Sequence, residues 1–187
     1  MYSIETERLL MRPFEMDDVD FLDYLHSDMD VVRYTSGYTR SHEENIGFLK
    51  MMHEFYERDL GHLLVIQKSD LTPVGRAGLY PFYGVIEDDM EWLYTFGRDS
   101  VKKQGDVMEV IDLGYTIDKA AWGKGFATEA ASGVRDYSFE NLGYDKLASM
   151  MIKENTASVR VAEKMGAGNP TEIMVNEKPA LKLTQYR

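Results

Sequence analysis

The sequence predicts an α/β or α+β domain built around a mixed sheet, and three observations carry that reading. Two apolar runs, His62 to Lys68 and Val74 to Tyr80, flank Ser69, Asp70, Leu71, Thr72 and Pro73, a composition suited to a turn between antiparallel strands. A run from Glu109 to Ile117 leads into glycines and then into Ala127, Ala130, Ala131, Val134, Tyr137 and Ser138 at helical spacing, which reads as strand, glycine loop, helix. At 187 residues the chain suits one domain, 1–187, with a substantial core.

Taken in order, Thr6 to Arg12 mixes apolar and charged residues around Leu9, Leu10 and Met11 and stops at Pro13, as an opening strand would. A helix follows with Phe21, Leu22 and Leu25 on one face. A second begins at Ser41 and Glu44, the Ser-x-x-Glu spacing of a capping box, with a buried stripe expected at Ile46, Leu49, His53 and Tyr56. After the hairpin, the pattern between Pro81 and Glu109 loses its period, although Trp92, Tyr94 and Phe96 suggest a short strand, so an insertion is expected over 81–108. Long irregular segments often serve as lids or binding loops, which places this one beside an acceptor site. Lys146 to Ile152 reads as a strand, Asn155 to Met165 as a helix closed by Gly166, and Ala180 to Tyr186 as a final strand.

Composition removes several function classes. No cysteine is present, which excludes disulfides, thiolate metal sites and a protein thioester, and fits a cytoplasmic location. The N-terminus carries Glu5, Glu7 and Arg8 without an apolar core, and no run of about 18 apolar residues occurs, so neither export nor a membrane partner is expected. A formal net charge of −11 makes nucleic acid a poor partner and would attract a cationic substrate, or may be read simply as a solubility device. His26, His42, His53 and His62 show no metal spacing, so no metal is expected, and no Gly-x-Ser-x-Gly elbow suggests a serine nucleophile.

The most informative stretch is Trp122, Gly123, Lys124, Gly125, Phe126, Ala127, Thr128 and Glu129, between a strand and a long helix. Glycines allow a tight turn whose successive N–H groups, at a helix N-terminus, can hold a phosphate; the alternative is a turn that binds nothing. It is not a Walker loop, and Thr128 breaks the Gly-x-Gly-x-x-Gly dinucleotide fingerprint. The run resembles the acetyl-CoA signature of the GNAT superfamily, Gln/Arg-x-x-Gly-x-Gly/Ala, through Gly125 and Ala127, with Trp122 departing at the first position. Trp-Gly-x-Gly-Tyr-Ala-Thr-Glu-Ala is a common form in the RimJ/RimL-like branch, which acetylates protein N-terminal amines, and Trp122 to Ala130 is similar to it, with Phe126 for the tyrosine. A second block, Asn155 to Ser158 followed by Glu163 to Gly166, resembles the branch's Asn-x-x-Ser and Glu-Lys-x-Gly. Weaker matches lie at Thr6 to Pro13, Val74 to Leu79 and Asp112 to Tyr115.

This resemblance implies a strongly twisted central sheet of about six to seven strands with about four helices, splayed where acetyl-CoA inserts. It implies that the backbone around Tyr115 and Ile117 holds the pantetheine chain, and that Trp122, Gly123, Lys124, Gly125, Ala127 and Thr128 hold the pyrophosphate, with Asn155 as a further cofactor contact. The acceptor would be an amine, either a protein N-terminus or a small cationic polyamine or aminoglycoside, and the protein a monomer or homodimer; a non-catalytic acyl-CoA-binding module is the remaining alternative. An α-amine of pKa about 8, or a lysine of about 10.4, is protonated at neutral pH and needs a base. Asp112 stands where the family often has glutamate and is the candidate, or else a strand acid that only anchors a cation. Ser158 matches the serine that donates to the departing sulfur; capping by Asn155 and Ser158 is the structural alternative.

Overall fold

The computed structural model describes residues 3–95 and 97–187; the expectation at Phe96 lies outside them. The chain opens with β1 (Ile4–Glu5) and β2 (Leu9–Pro13), then α1 (Val19–Ser27), a short α2 (Met29–Val32) and α3 (His42–Tyr56). The expected hairpin is β3 (Gly61–Gln67) and β4 (Thr72–Glu87), followed by β5 (Met90–Tyr94) and β6 (Met108–Ile117). The second half comprises α4 (Phe126–Glu140), β7 (Lys146–Met151), α5 (Thr156–Lys164), β8 (Thr171–Val175) and β9 (Lys178–Tyr186).

All nine strands form one mixed sheet in the order β1-β2-β3-β4-β5-β8-β9-β7-β6, and β6 also pairs with β4. The long β4 carries β3 and then β5 along one edge and β6 along the other. Strands β4, β5, β8, β9, β7 and β6 therefore close on themselves. Every one of them contributes to a single apolar cluster of Leu93, Ile173, Ala180, Phe82, Met108, Val110, Met150 and Val175, as the filling of a ring requires.

Helices cover both faces of the remaining sheet. Helix α4 lies on β6 and on the Met11 face, where Gly133 lets the helix approach β1 and β2. Helices α1 and α3 pack together over the opposite face, which carries His62 and Arg76. The α3 capping box is formed: Ser41 Oγ accepts the Glu44 N–H at 3.3 Å and Glu44 Oε2 accepts the Ser41 N–H at 2.8 Å.

Three expectations need correction. The buried stripe of α3 is Asn45, Phe48, Leu49, Met52 and Tyr56; Ile46 is half-buried and His53 exposed, because polar Asn45 turns inward to bond His26 and rotates the face. Segment 81–108 is regular in its first part, since β4 runs on to Glu87 and returns as β5 after a turn at 88–89, leaving 95 and 97–107 outside strands among the other described residues. Among the described residues nine strands and five α-helices also exceed the expected number, because β1 and β8 extend the sheet and the short α2 follows α1.

Close approach of β3 and β4 depends on Gly78, where an added β-carbon would lie 2.2 Å from the Gly61 carbonyl oxygen. Backbone cannot yield as a side-chain tip can, so Gly78→Ala should lower stability by at least about 2 kcal/mol, read from urea unfolding; a loss under about 0.5 kcal/mol would contradict this packing.

Candidate active site

The parallel pair β6–β7 makes a single register contact, Asp112 with Ala148, and then diverges. At the divergence Asp112 Oδ1 accepts the Met150 N–H at 2.8 Å, so a side-chain carboxylate takes the place of a backbone acceptor and ends the ladder. Asp112 is buried, and burial pushes its carboxyl up to about 7 even though the Met150 N–H pulls it down. The Leu113 to Ile117 side of β6 is left without a pairing to β7.

Tyr115 lies within that unpaired stretch. Its buried hydroxyl meets no partner at full hydrogen-bond geometry among the described residues, and burial holds its pKa up at about 12. Ser158 stands beside that hydroxyl and draws the value down, whereas Asp112, on the other face of β6, raises it only through its charge. Asn155 caps α5: its Oδ1 accepts the Ser158 N–H at 3.2 Å, which fixes the serine that follows. Ile117 is committed differently, because its carbonyl oxygen accepts the Trp122 indole N–H at 2.7 Å.

Trp122, Gly123, Lys124 and Gly125 are exposed in the turn from β6 to α4. Gly123 and Gly125 adopt φ of 75° and 81°, left-handed values that a side chain would strain, and Gly125 is the N-cap. The helical ladder starts at Glu129 N–H to Gly125 O, so the amides of Phe126, Ala127 and Thr128 face outward with the positive end of the helix dipole. Arg8 braces this loop. It donates to Lys124 O at 2.9 Å, stacks 4.8 Å from the Phe126 ring centroid and bonds Glu129, which also accepts the Thr6 hydroxyl at 2.6 Å. A buried hydroxyl at the splay and a braced loop of free amides fit an elongated molecule bearing a polar chain and phosphates.

On the opposite face lies a polar cluster that sequence reading missed. Arg76 is buried, donates from Nη1 to His62 Nδ1 at 2.6 Å and from Nε to His26 Nε2 at 3.3 Å. A guanidinium only donates, so both imidazoles accept from it and carry their protons on the far nitrogens. His26 Nδ1 thus donates to Asn45 Oδ1 at 2.7 Å, and Asn45 Nδ2 to Asp23 Oδ1 at 2.8 Å. Burial, then Arg76, lowers His26 to about 3, and the same causes hold His62 well below its ordinary value, so both rings are neutral. His62 Nε2 lies 3.2 Å and Asp112 Oδ2 3.4 Å from the point where a β-carbon on Gly114 would sit. The cluster therefore reaches the splay across a glycine floor. No three His, Asp or Glu among the described residues are grouped to hold a metal ion.

Known proteins match this architecture. The model of the acetyltransferase (GNAT) domain matches residues 8–168. The uncharacterized N-acetyltransferase p20 of Bacillus licheniformis is 25% identical over 165 residues, covering 88% of this chain and 82% of its own. The uncharacterized protein YkkB of Bacillus subtilis is 28% identical over 182 residues, 95% of this chain and 91% of its own. Among solved structures, a GNAT-family acetyltransferase from Bacillus anthracis superposes with a TM-score of 0.74 at 21% identity, covering 99% of this chain and 98% of that one. RimL, a ribosomal L7/L12 α-N-protein acetyltransferase in complex with coenzyme A, gives 0.69 at 14% identity over 99% and 98%. The aminoglycoside acetyltransferase AAC(6′)-Ib with coenzyme A gives 0.71 at 15% over 96% and 95%. The splayed pair, the glycine loop and the helix behind it all fall inside the matched span, and the chain belongs to the acetyltransferase (GNAT) domain family as an acetyl-CoA-dependent N-acetyltransferase.

Proposed function

We propose that the protein acetylates the α-amine of a protein N-terminus in the manner of the RimJ/RimL-like branch, with Asp112 as base and Ser158 as donor to the leaving sulfur. The observation that carries this reading is the opening of β6 from β7, where the buried Asp112 carboxyl holds the Met150 amide and Ser158 stands beside Tyr115. Acetyl-CoA would lie along that edge, its pantetheine chain against the backbone near Tyr115 and its pyrophosphate on the amides of residues 123–128, with Asn155 beside it. Segment 81–108 would border the acceptor, because β4 and β5 continue directly from the Tyr80 and Asp112 row.

In this scheme an acceptor ammonium of pKa about 8 gives a proton to Asp112, whose carboxyl is matched to it by burial. The freed amine attacks the thioester carbonyl, the carbon–sulfur bond breaks as the amide forms, and Ser158 donates to the departing thiolate. Two protons leave nitrogen in all: the first goes to Asp112 and from there to solvent, and the second, lost as the amide forms, replaces the one that Ser158 gives to sulfur. A small cationic amine is the second reading, supported by the superposition on AAC(6′)-Ib.

Calorimetric titration with acetyl-CoA, followed by thiol release against N-terminal peptides, polyamines and aminoglycosides, tests the scheme. Turnover confined to peptides is expected; turnover confined to polyamines or aminoglycosides would overturn the peptide assignment. The wild-type kcat/KM should rise with pH through about 7 as Asp112 ionises. Asp112→Asn should lower kcat near neutral pH by about 10²-fold while acetyl-CoA affinity is retained. Ser158→Ala should slow transfer by about 10²-fold, and an unchanged rate would leave the serine a first-turn residue of α5 only.

Stability gives an independent check on Asp112. Below about pH 4 its carboxyl is protonated in both states, whereas between there and about 7 the folded protein holds the proton and the unfolded chain has lost it. Stability therefore falls as pH rises across that window and the fall ends above about 7. Asp112→Asn, whose amide oxygen still accepts the Met150 N–H, should be relatively more stable at pH 8 than at pH 4 in matched thermal melts.

A further inference from the structure

Arg76 and Arg40 form an unusual concentration of positive charge inside an acidic protein. Their guanidinium carbons lie 5.0 and 5.1 Å from the centroid of the same ring, Phe48; burial lowers the pKa of both, and Arg40 lowers that of Arg76 further. Neither is within ion-pair distance of a carboxylate among the described residues. Arg76 spends two donors on neutral imidazoles. The half-buried Arg40 guanidinium makes no side-chain hydrogen bond among the described residues. The acid that Arg40 senses on its own side is Glu44, and Glu44 is turned to the Ser41 amide in the capping box.

Uncompensated charge taken from water is costly, and proteins otherwise pair such groups. The pair also has a direction. Arg76, Gly78 and Tyr80 of β4 stand beside Thr116, Gly114 and Asp112 of β6, so Arg76 and the splay carboxylate share one face of the sheet with a strip of two glycines between them. His62 spans it, bonded to Arg76 through Nδ1 and facing the Gly114 side with Nε2. Tyr80, in register with Asp112, feels both arginines.

We infer that Arg40 and Arg76 recognise a carboxylate on the acceptor, so that the substrate carries an amine for Asp112 and an anionic group a few bonds away for the arginines. This rests on the catalytic reading above and narrows its substrate class. The same chemistry is offered by an acidic side chain near a peptide N-terminus and by the α-carboxylate of a free amino acid. It excludes polycationic amines as the preferred acceptors.

Matched acid and amide pairs test it: peptides with Glu or Gln in the first two positions, and free amino acids with their α-amides, assayed by thiol release on wild type, Arg40→Gln and Arg40→Lys. Arg40 is chosen because it is the less buried of the two, and acetyl-CoA titration verifies that each variant folds. Wild type should prefer the acid by at least about 10-fold in kcat/KM, within the range of a charge-assisted hydrogen bond. The pair that shows the preference identifies the source. Arg40→Gln should reduce the preference to within about 2-fold, and Arg40→Lys should keep part of it. Equal use of acid and amide, or a preference untouched in Arg40→Gln, overturns the inference. Should no amine be acetylated, calorimetric titration of glutamate and glutaric acid into the CoA complex reads the arginines alone. Binding lost in Arg40→Gln would then uphold the anion site while the acetyl-transfer scheme fails; no binding to wild type would overturn the anion site.

Discussion

The hydrogen bond from the Met150 amide to the Asp112 carboxyl is the constraint on which the site is built. Parallel strands normally continue their ladder until a loop intervenes, because an unpaired buried amide is expensive. Here one side chain satisfies the amide and removes the need for the next backbone acceptor, so β6 and β7 can separate after a single register contact. Opening a sheet in its interior and holding a carboxyl with a raised pKa are thus one structural event. The six-strand closure through β5, β8 and β9 makes the opening affordable in conformational terms, since β7 stays tied to β9 over its whole length while it leaves β6.

The two flanks of the splay are fixed by different means. On the α4 side the glycine loop is exposed and its order comes from Arg8, which joins the β1–β2 turn to Lys124 O, Phe126 and Glu129 in one fork. Exposed ion pairs contribute little alone, but here the same Glu129 also receives the Thr6 hydroxyl and the Arg8 amide, so geometry is set by several bonds at once. On the α1–α3 side the order comes from a buried chain running from Asp23 through Asn45 and His26 to Arg76 and His62. Each member of that chain fixes the tautomer or amide orientation of the next, leaving His62 Nε2 as the protonated nitrogen nearest the splay.

Legibility in the sequence followed how local each physical requirement is. Gly123 and Gly125 announced their turn because left-handed backbone at a helix start is a local demand, and Ser41 with Glu44 announced α3 for the same reason. The hairpins β4–β5 and β8–β9 were hard to read because their two-residue turns use Asp88–Asp89 and Asn176–Glu177, all at positive φ, where glycine is the usual signal. Arg8 matched only a weak block, and its work on a loop more than a hundred residues away has no local trace. The arginine cluster was illegible for the same reason: its members lie on α1, on the approach to α3, on α3, on β3 and on β4, and only the fold assembles them.

Net charge and the field at the site act over different ranges. A value of −11 describes the field at a distance, where it would attract a cation, and it is carried largely by exposed acids. On the α1–α3 face the short-range field is set by Arg40 and Arg76 on one side and by Asp112 on the other. At such distances and in a low dielectric, a few placed groups outweigh many solvated ones, because screening acts on the exposed acids and hardly on buried arginines. On the inference drawn above, the arrangement would favour an acceptor that is itself dipolar, amine toward Asp112 and anion toward the arginines, and a purely cationic molecule would be drawn toward the surface and then opposed near the arginines. Discrimination of that kind arises from unpaired buried charge, which rejects the wrong partner more strongly than it binds the right one.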